Sequence, residues 1–248
     1  DTDINQQLSV YFDAIARLFI NDVENINAMK DRMADNLKLK IGFLSEALDR
    51  TPWKPVKCEE RIRRIIPYDD FTLVLNGIID RVDQAGNEFM IVDYKSSRKS
   101  ISQDEIIRGK KIQLLTYLLA YSEANPELVP AAVAYYNLKA ENIDFKADKA
   151  REELRRNADR FLSYKLDKDY PLDKDYYSSS RYVVDYDLNR RYLEEIYRLL
   201  CSRILNGDIE VRPVKDACLF CIYSEVCHGY DSDAPEAPVL IEKEVLNG

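Results

Sequence analysis

Two aspartates and one lysine form the pattern in this chain that is best suited to chemistry. Asp80 and Asp93 each follow a pair of large apolar residues, and Lys95 comes two positions after Asp93. Carboxylate oxygens are the ligands that Mg²⁺ prefers in proteins, and a bound Mg²⁺ can activate a water and neutralise a phosphate. With a lysine ammonium nearby, this set predicts hydrolysis of phosphodiester bonds at a Mg²⁺ or Mn²⁺ site.

Two predicted β-strands joined by a tight turn position these side chains. The apolar runs 77–83 and 88–95 flank a polar turn with a Gly-Asn pair, which is typical of a β-hairpin. Because residues i and i+2 of a strand share a face, Asp93 and Lys95 point to one side of the sheet and Tyr94 to the other. We expect the first aspartate to meet them from the end of its own strand. The backbone carbonyl of Tyr94 is a further candidate ligand.

A third acid is expected from the preceding strand, which is predicted over 56–66. Glu59 and Glu60 both lie there, and we favour Glu60 because it shares a strand face with Ile62 and Arg64. The alternative interpretation of the Asp-x-Lys pattern is a solvent-facing salt bridge. The second aspartate at the matching position across the hairpin favours the metal site over that alternative.

Apolar residues at helical spacing predict a helix over 106–124. Gln113 and Tyr117 are four residues apart and therefore lie on one face of it, away from the apolar stripe. We predict that both face the acidic site rather than solvent, and that they orient Lys95 or hold a phosphate oxygen. An ordinary amphipathic helix with a solvated glutamine is the alternative. The residues that start the helix form a local basic patch: Arg108, Lys110 and Lys111.

Three cysteines near the C-terminus, Cys218, Cys221 and Cys227, have the spacing C-x2-C-x5-C. Three thiolates this close in sequence are typical of an iron–sulfur cluster or a zinc site, and either one needs a fourth ligand. We expect the three thiols to lie close together. Cys58 and Cys201 are predicted to be structural, and the histidine adjacent to the third cysteine is poorly placed to share its metal. The fourth ligand is therefore not evident in this sequence.

The composition is typical of a helix-rich globular protein. The chain has 248 residues, of which 46% are apolar and 32% charged, with only 7 glycines, and this length allows one large domain or two small ones. The net charge of −8 means that DNA contact must come from a local basic surface or from a partner. No apolar run reaches the roughly 20 residues that span a bilayer, and no signal peptide is evident. The odd cysteine count of 5 argues against a disulfide framework, so we expect a cytoplasmic protein.

The chain divides into four segments by pattern. We predict an N-terminal helical segment over 1–50, a core over 51–212, a cysteine-rich segment over 213–230 and a tail over 231–248. The order of elements is typical of an α/β fold with a small mixed central sheet flanked by helices. The predicted helices cover 8–26, 37–48, 106–124, 149–162 and 188–205, and the predicted strands cover 56–66, 71–82, 88–94, 129–138 and a short stretch near Val183. Because the chain starts at Asp1 without a methionine, we expect an excised domain.

Together, these motifs resemble the RecB-like branch of the PD-(D/E)XK nucleases, which have a restriction-endonuclease-like core. The cysteine spacing is similar to the iron–sulfur version of that domain, found at the C-terminus of AddB-type helicase–nuclease subunits. The resemblance covers the chain from Leu37 to His228. The segments that carry it are Gly77-Ile78-Ile79-Asp80-Arg81-Val82-Asp83, Ile91-Val92-Asp93-Tyr94-Lys95-Ser96 and Gln113-x3-Tyr117.

The resemblance implies a Mg²⁺-dependent exonuclease that cleaves DNA strands and is coupled to unwinding by a helicase partner during double-strand-break repair. Carried over by position, Asp80, Asp93 and Lys95 are catalytic, and Gln113 and Tyr117 are supporting. The resemblance also implies a 4Fe–4S cluster whose first cysteine lies well upstream of the core. We therefore expect that cluster to be incomplete in this chain.

Two other functions are compatible with the motifs. Many relatives carry a histidine on an upstream helix, where this chain has Ser45 or Glu46. This difference favours a nuclease-fold module that binds DNA or assembles the complex without cutting. A CRISPR-associated nuclease of the same branch is the second alternative, and the start at Asp1 without an upstream cysteine argues against it. The complete set of two acids and a lysine favours the active nuclease.

Overall fold

The structure is a computed structural model of the chain, and it describes the residues that carry the core of the fold. The described ranges are 4–16, 23–49, 52–96, 99, 101, 105–106, 109–138, 181–183, 185–208, 210–211, 213 and 217–227. The helix predicted over 149–162, the tail over 231–248, Arg108 and His228 lie outside these ranges.

Helices precede, interrupt and follow the strands in this part of the chain. The helices are α1 (Ile4–Ala16), α2 (Val23–Asp49), α3 (Gln113–Ala124), α4 (Tyr186–Leu205) and α5 (Ser224–Cys227), with a 3₁₀ helix at Ala217–Phe220. The strands are β1 (Lys54–Pro67), β2 (Thr72–Ala85), β3 (Glu88–Lys95), β4 (Val129–Asn137) and β5 (Arg181–Val183). None of these helices is long and apolar enough to cross a membrane.

The strands of the described ranges form one mixed sheet in the order β1-β2-β3-β4-β5. Neighbouring strands are antiparallel except β3 and β4, which are parallel. A parallel pair needs a crossover connection, and α3 lies in the segment between those two strands. The predicted α/β fold, with a small mixed sheet flanked by helices, is confirmed.

Helices cover both faces of the sheet, and each face carries its own apolar cluster. The larger cluster joins the sheet to α3 and α4, and its buried members include Phe89, Ile91, Leu114, Leu118, Tyr192 and Ile196. The second cluster joins Trp53 and the other face of β3 and β4 to Leu44 and Leu48 of α2. Tyr136 Oη also donates to the carbonyl of Lys40 at 3.1 Å. The predicted N-terminal helical segment therefore packs on the sheet through α2.

Strand β2 continues past Asp80 to the hairpin turn, so this aspartate lies inside the strand and not at its end as predicted. Arg81 and Asp83 are both buried and form an ion pair, which lets the strand continue through charged residues. Ile79 and Val82 both belong to the cluster under α3, although a regular strand would place them on opposite faces. The alternation of side chains between the two faces of β2 is therefore interrupted at Asp80 and Arg81.

Helix α3 begins at Gln113, and the prediction that it starts near residue 106 is wrong. Gly109 has a positive φ of 71°, a conformation that interrupts a helix. Glu105 and Ile106 before it are helical, and the Ile106 carbonyl accepts a hydrogen bond from Tyr192 Oη at 2.5 Å. The predicted helix is therefore interrupted between Ile106 and Gln113, which helical spacing alone does not show.

The other helices and strands predicted within the described ranges are confirmed with shifted ends, except the helix predicted over 8–26. Of that helix, residues 8–16 lie in α1 and residues 23–26 begin α2, while 17–22 lie outside the described residues. The helix predicted over 37–48 is part of the longer α2. Helix α4 follows the N-cap Asp185, whose Oδ1 accepts a hydrogen bond from Leu188 N at 3.1 Å. Gly86 has a positive φ of 61° in the β2–β3 turn, as the predicted hairpin requires.

An aromatic ring occupies the space that a side chain at position 77 of β2 would need. A Cβ placed on Gly77 would lie 2.5 Å from Cε1 of Tyr117, well inside van der Waals contact. Tyr117 is half-buried on α3, so its ring sets how closely this helix approaches β2. A side chain at position 77 would push α3 away from the strand that carries Asp80.

We expect Gly77→Ala to lower the free energy of unfolding by about 1–3 kcal/mol, because the new methyl group overpacks against the Tyr117 ring. Urea unfolding followed by circular dichroism measures the change. Gly42→Ala in α2 is the matched control, since a Cβ there meets nothing within 4 Å. That exchange should stabilise the protein by roughly 0.5–1 kcal/mol. Equal effects of the two substitutions would contradict the role assigned to Tyr117.

Candidate active site

Asp80 and Asp93 lie side by side on neighbouring strands. Arg81 of β2 pairs with Val92 of β3 in the antiparallel register, and one further step of that register sets the two aspartates opposite each other. The backbone N–H of Tyr94 donates to Asp80 Oδ2 at 2.7 Å. The hairpin therefore brings the two predicted carboxylates into one site.

Lys95 lies beside this pair. Its Nζ is 2.6 Å from Asp93 Oδ2, and the two side chains are 29% and 6% exposed. The same ammonium is 5.6 Å from the ring centroid of Tyr135 on β4, within the range of a cation–π contact. The carboxylate is thus anchored inside the sheet, while the lysine keeps an exposed part that a substrate can reach.

The surroundings of Asp93 favour a bound cation. Burial raises the pKa of the Asp93 carboxyl above its usual value, the Lys95 ammonium opposes that shift, and the charge of Asp80 adds to it. Asp80 and Asp93 are therefore two like charges in a poorly solvated place. A divalent cation between them would offset both the burial and the repulsion.

The donor set fits Mg²⁺ or Mn²⁺. Mg²⁺ is usually held by one or two carboxylates and completes its shell with waters and substrate oxygens. Two carboxylates on adjacent strands meet that requirement, and a backbone carbonyl is an additional hard ligand. The residues that would hold the ion are Asp80, Asp93 and, through its carbonyl, Tyr94.

Glu60, the predicted third acid, has a different neighbour. Burial raises the pKa of Tyr121 on α3, and the charge of Glu60 raises it further. Among the described residues, no three His, Cys, Asp or Glu side chains converge to hold a metal. Glu60 therefore does not complete a three-acid set with Asp80 and Asp93. Glu59, its alternative, is exposed and has a positive φ of 52°.

Gln113 and Tyr117 form the contact that their spacing predicts, since Gln113 Nε2 donates to Tyr117 Oη at 3.0 Å. Tyr117 is half-buried, but Gln113 is exposed, so the prediction that both avoid solvent is wrong for the glutamine. Gln113 opens α3, and no preceding helical turn covers it. In the predicted basic patch, Lys111 Nζ lies 2.7 Å from Glu105 Oε2. Arg108 lies outside the described residues.

The three clustered cysteines are not gathered around one point. Cys218 is half-buried in the 3₁₀ helix, Cys221 and Cys227 are exposed, and all three are free thiols. Since the described part of the chain contains no group of three metal ligands, the expectation that these thiols lie together is wrong for this structure. Backbone hydrogen bonds within this segment run from Cys221 N to the Cys218 carbonyl at 3.2 Å and from Cys227 N to the Tyr223 carbonyl at 2.8 Å. Cys58, predicted to be structural, is exposed on β1.

Sequence patterns alone gave no role to Arg81 and Asp83, which lie inside the same motif as Asp80. Arg81 is 2% exposed and Asp83 is fully buried. The distance from Arg81 Nε to Asp83 Oδ1 is 2.8 Å, and Arg81 Nη2 donates to Asp83 Oδ2 at 2.9 Å. Opposite charges two residues apart in an apolar strand were the available signal for such a buried pair.

We expect Asp93→Asn and Asp83→Asn to change stability in opposite directions at neutral pH. Asp93→Asn removes a carboxylate whose burial and nearness to Asp80 outweigh its ion pair with the partly exposed Lys95, so the metal-free protein should become more stable. Asp83→Asn breaks the buried pair with Arg81 and should cost about 3–5 kcal/mol. Urea unfolding in EDTA measures both effects, and changes of the same sign would contradict the assignment.

The effect of Asp93→Asn on the free energy of unfolding should increase as the pH rises. Folding raises the pKa of Asp93 above its usual value of 3.8. The wild type should therefore lose stability relative to Asp93→Asn as the pH rises through the folded-state pKa. The difference should vanish below pH 3.8, where the carboxyl is protonated in both folded and unfolded protein. A difference that stays constant over this range would show that the carboxylate charge is not its cause.

Comparisons with known proteins agree with this geometry. The family model of the PD-(D/E)XK nuclease superfamily matches residues 3–228. The chain is also similar to curated proteins that are each described as a subunit of an ATP-dependent helicase/deoxyribonuclease. The one from Desulforamulus reducens is 30% identical over 197 residues, which cover 64% of this chain and 17% of that protein.

Two further proteins with the same description align over more of this chain. The one from Clostridioides difficile is 27% identical over 264 positions, covering 86% of this chain and 23% of its own length. The one from Clostridium tetani is 26% identical over 256 positions, covering 84% and 22%. The chain thus spans between 17% and 23% of the length of these relatives. Because the family model matches nearly all of its residues, the chain belongs to the PD-(D/E)XK nuclease superfamily.

Proposed function

We propose that this chain is the nuclease domain of a helicase–nuclease subunit, and that it hydrolyses DNA strands as an exonuclease with Mg²⁺ or Mn²⁺. Its relatives are described as subunits of an ATP-dependent helicase/deoxyribonuclease, which supports this assignment. A partner subunit would contribute to unwinding, and the complex would act in double-strand-break repair and recombination. The observation that carries the proposal is the meeting of Asp80, Asp93 and Lys95 at the β2–β3 hairpin.

Each of these side chains has a role that follows from its position. A Mg²⁺ ion bound here supplies a Lewis acid that activates water and neutralises the phosphate. Asp80 and Asp93 would hold it from two strands whose pairing fixes their separation. Lys95 is partly exposed beside Asp93, so it orients the attacking water and stabilises the charge that develops on the phosphate oxygens.

DNA contact has to come from the surface around this group, because the net charge of −8 repels DNA. The exposed amide of Gln113 and the hydroxyl of Tyr117 lie together on α3, and Tyr117 packs over β2. Both groups are suited to phosphate oxygens, which position DNA without reading its sequence. Arg108 and Lys111 would add positive charge in the segment before this helix.

We expect the chain to cleave end-labelled single-stranded DNA with Mg²⁺ or Mn²⁺ and to stop in EDTA. Asp93→Asn should abolish cleavage, because it removes one of the two carboxylate ligands. Lys95→Gln should lower kcat by roughly 10²–10³, as is typical when a charge-stabilising donor is lost. Asp69→Asn is the matched control, since this exposed acid lies in the turn before β2 and should leave the rate unchanged. Products that persist in EDTA or in Asp93→Asn would place the chemistry elsewhere.

A second candidate function is a nuclease fold that binds DNA or assembles the complex without cutting it. The observation in its favour is that the described residues bring two acids together without a third acid, histidine or cysteine. Ser45, in the region where many relatives carry a histidine, is exposed on α2. Fluorescence anisotropy with labelled DNA, run beside the cleavage assay, separates the two functions. Tight binding without metal-dependent products would support the second one.

We also propose that Cys218, Cys221 and Cys227 are three ligands of a 4Fe–4S cluster in a protein as long as the relatives. Their C-x2-C-x5-C spacing supports this ligation. Three thiolates in a short segment repel one another unless a metal neutralises them, so binding of the cluster would order the segment. The fourth ligand would come from outside the described part of this chain.

We expect residues 1–248 alone to contain less iron and acid-labile sulfide than a complete 4Fe–4S cluster requires, because one ligand is missing. Chemical analysis of anaerobically purified protein measures both elements. In a longer version with upstream cysteines, Cys221→Ser should lower the iron content, and Cys58→Ser should not, since Cys58 is an exposed thiol on β1. A complete cluster in 1–248 would contradict the missing ligand and make Cys58, Cys201 and His228 the first residues to substitute.

A further inference from the structure

A buried polar network lies on the α2 side of the sheet, behind the acid pair. Arg81 Nη1 donates to Tyr94 Oη at 2.8 Å, and Arg81 Nη2 donates to Asp83 Oδ2 at 2.9 Å. The guanidinium carbon of Arg81 lies 5.5 Å from the centroid of the Tyr94 ring. Tyr136 meets that ring edge-on, with 5.7 Å between ring centroids. Arg81 therefore contacts both the hydroxyl and the π face of Tyr94.

The backbone of Tyr94 connects this network to the acid pair. Its N–H donates to Asp80 Oδ2 at 2.7 Å, while its hydroxyl accepts from Arg81. Strand β2 thus holds Tyr94 at two atoms, one in the backbone and one at the end of the side chain. Since Tyr94 stands between Asp93 and Lys95 in sequence, a shift of this residue moves the groups that face the cation.

The contact with Tyr94 falls at the irregular point of β2. Ile79 and Val82 both pack under α3, so the two residues between them cannot both follow the alternation of a regular strand. Asp80 bonds to the Tyr94 N–H, and Arg81 joins the network on the α2 side. Irregular strand positions re-aim side chains near active sites, and they persist where neighbouring groups hold them. The ion pair of Arg81 with Asp83 supplies such a hold.

Stability alone does not explain an ion pair at this place. Replacing a buried pair by apolar residues of similar volume is often neutral or stabilising. The cluster on this face of the sheet is otherwise apolar and aromatic, and includes Trp53, Met90, Val92, Ala132 and Ala134. A role in fixing the geometry of β3 explains why the charged pair of Arg81 and Asp83 is present here, whereas a contribution to stability does not.

We propose that Arg81, held by Asp83 and acting through the hydroxyl of Tyr94, is a positioning residue that fixes the placement of Asp80 and Asp93 for a divalent cation. This inference rests on the proposed function, since it assumes that the two carboxylates bind Mg²⁺ or Mn²⁺. Groups that orient metal ligands from behind have effects of this kind, and their loss typically lowers metal affinity by about 10–100-fold.

Tyr94→Phe tests the link with the smallest chemical change. It removes the hydroxyl that accepts from Arg81 and keeps the backbone N–H that bonds to Asp80. Tyr136→Phe is the matched control, because it removes a hydroxyl from the same face that donates to the Lys40 carbonyl instead. Isothermal titration of residues 1–248 with Mn²⁺ in the absence of DNA gives the metal affinity of each variant, and urea unfolding gives its stability.

We expect Tyr94→Phe to weaken Mn²⁺ binding about 10-fold or more while Tyr136→Phe binds nearly as tightly as the wild type. Wild-type affinity in Tyr94→Phe would overturn the inference and leave the proposed function in place. Equal losses in the two variants would assign the effect to packing and would also overturn it. A wild-type chain that binds no Mn²⁺ would overturn the inference and the proposed function together.

Arg81→Lys provides a second test of the route from Arg81 to the acid pair. Lysine keeps a positive charge for Asp83, but it lacks the fork of nitrogens that reaches Asp83 and Tyr94 at once. If Arg81 acts through Tyr94, Arg81→Lys should weaken Mn²⁺ binding, and the double variant with Tyr94→Phe should bind no more weakly than the weaker single variant. Additive losses would show that Arg81 acts by another route and would overturn the proposed link.

Discussion

The chemistry proposed for this chain depends on holding two like charges at a fixed separation in a poorly solvated place. Asp93 is 5% exposed, so its carboxylate cannot relieve the repulsion from Asp80 by turning to solvent. The backbone pairing of β2 with β3 resists that repulsion, and the Tyr94 N–H bond to Asp80 adds to it. A slip of one residue in this register would turn a whole strand's side chains to the opposite face. The acid pair therefore depends on the register of β2 with β3 as much as on the identity of the two residues.

The two faces of the sheet have different tasks. Asp93 lies on the side covered by α3 and α4, next to Lys95, which is partly exposed. The other side is covered by α2 and contains Arg81 and Asp83, which are almost completely buried. Burial suits the positioning role proposed for this ion pair, since contacts between charged groups are stronger where the local dielectric is low. The acid pair with its lysine and the proposed support thus lie on opposite faces of the same two strands.

The hairpin and the side of β3 that carries Asp93 and Lys95 were predictable, because a strand period of two residues and a Gly-containing turn are local signals. The family and the small mixed sheet followed from the same motifs. The irregular point of β2 was not predictable, since the alternation of side chains assumes a regular strand. The contacts that accompany the irregularity include the ion pair of Arg81 and Asp83, which only the folded structure reveals. The proximity of Glu60 to Tyr121 was also not predictable. Strand periodicity gives the face of a side chain, but the element packed above that face depends on the whole fold.

The parallel pairing of β3 with β4 affects the time order of folding. The β2–β3 hairpin joins residues that are close in sequence, and such a hairpin forms within about 1–10 μs. Strand β4 pairs with β3 across the segment that contains α3, and pairing over such a sequence distance is slow. We therefore expect Asp80 and Asp93 to meet while both are still hydrated, and Asp93 to lose its water only when β4 and α3 pack on the hairpin. The full repulsion between the acids would then arise together with the burial of the apolar core, whose formation outweighs it.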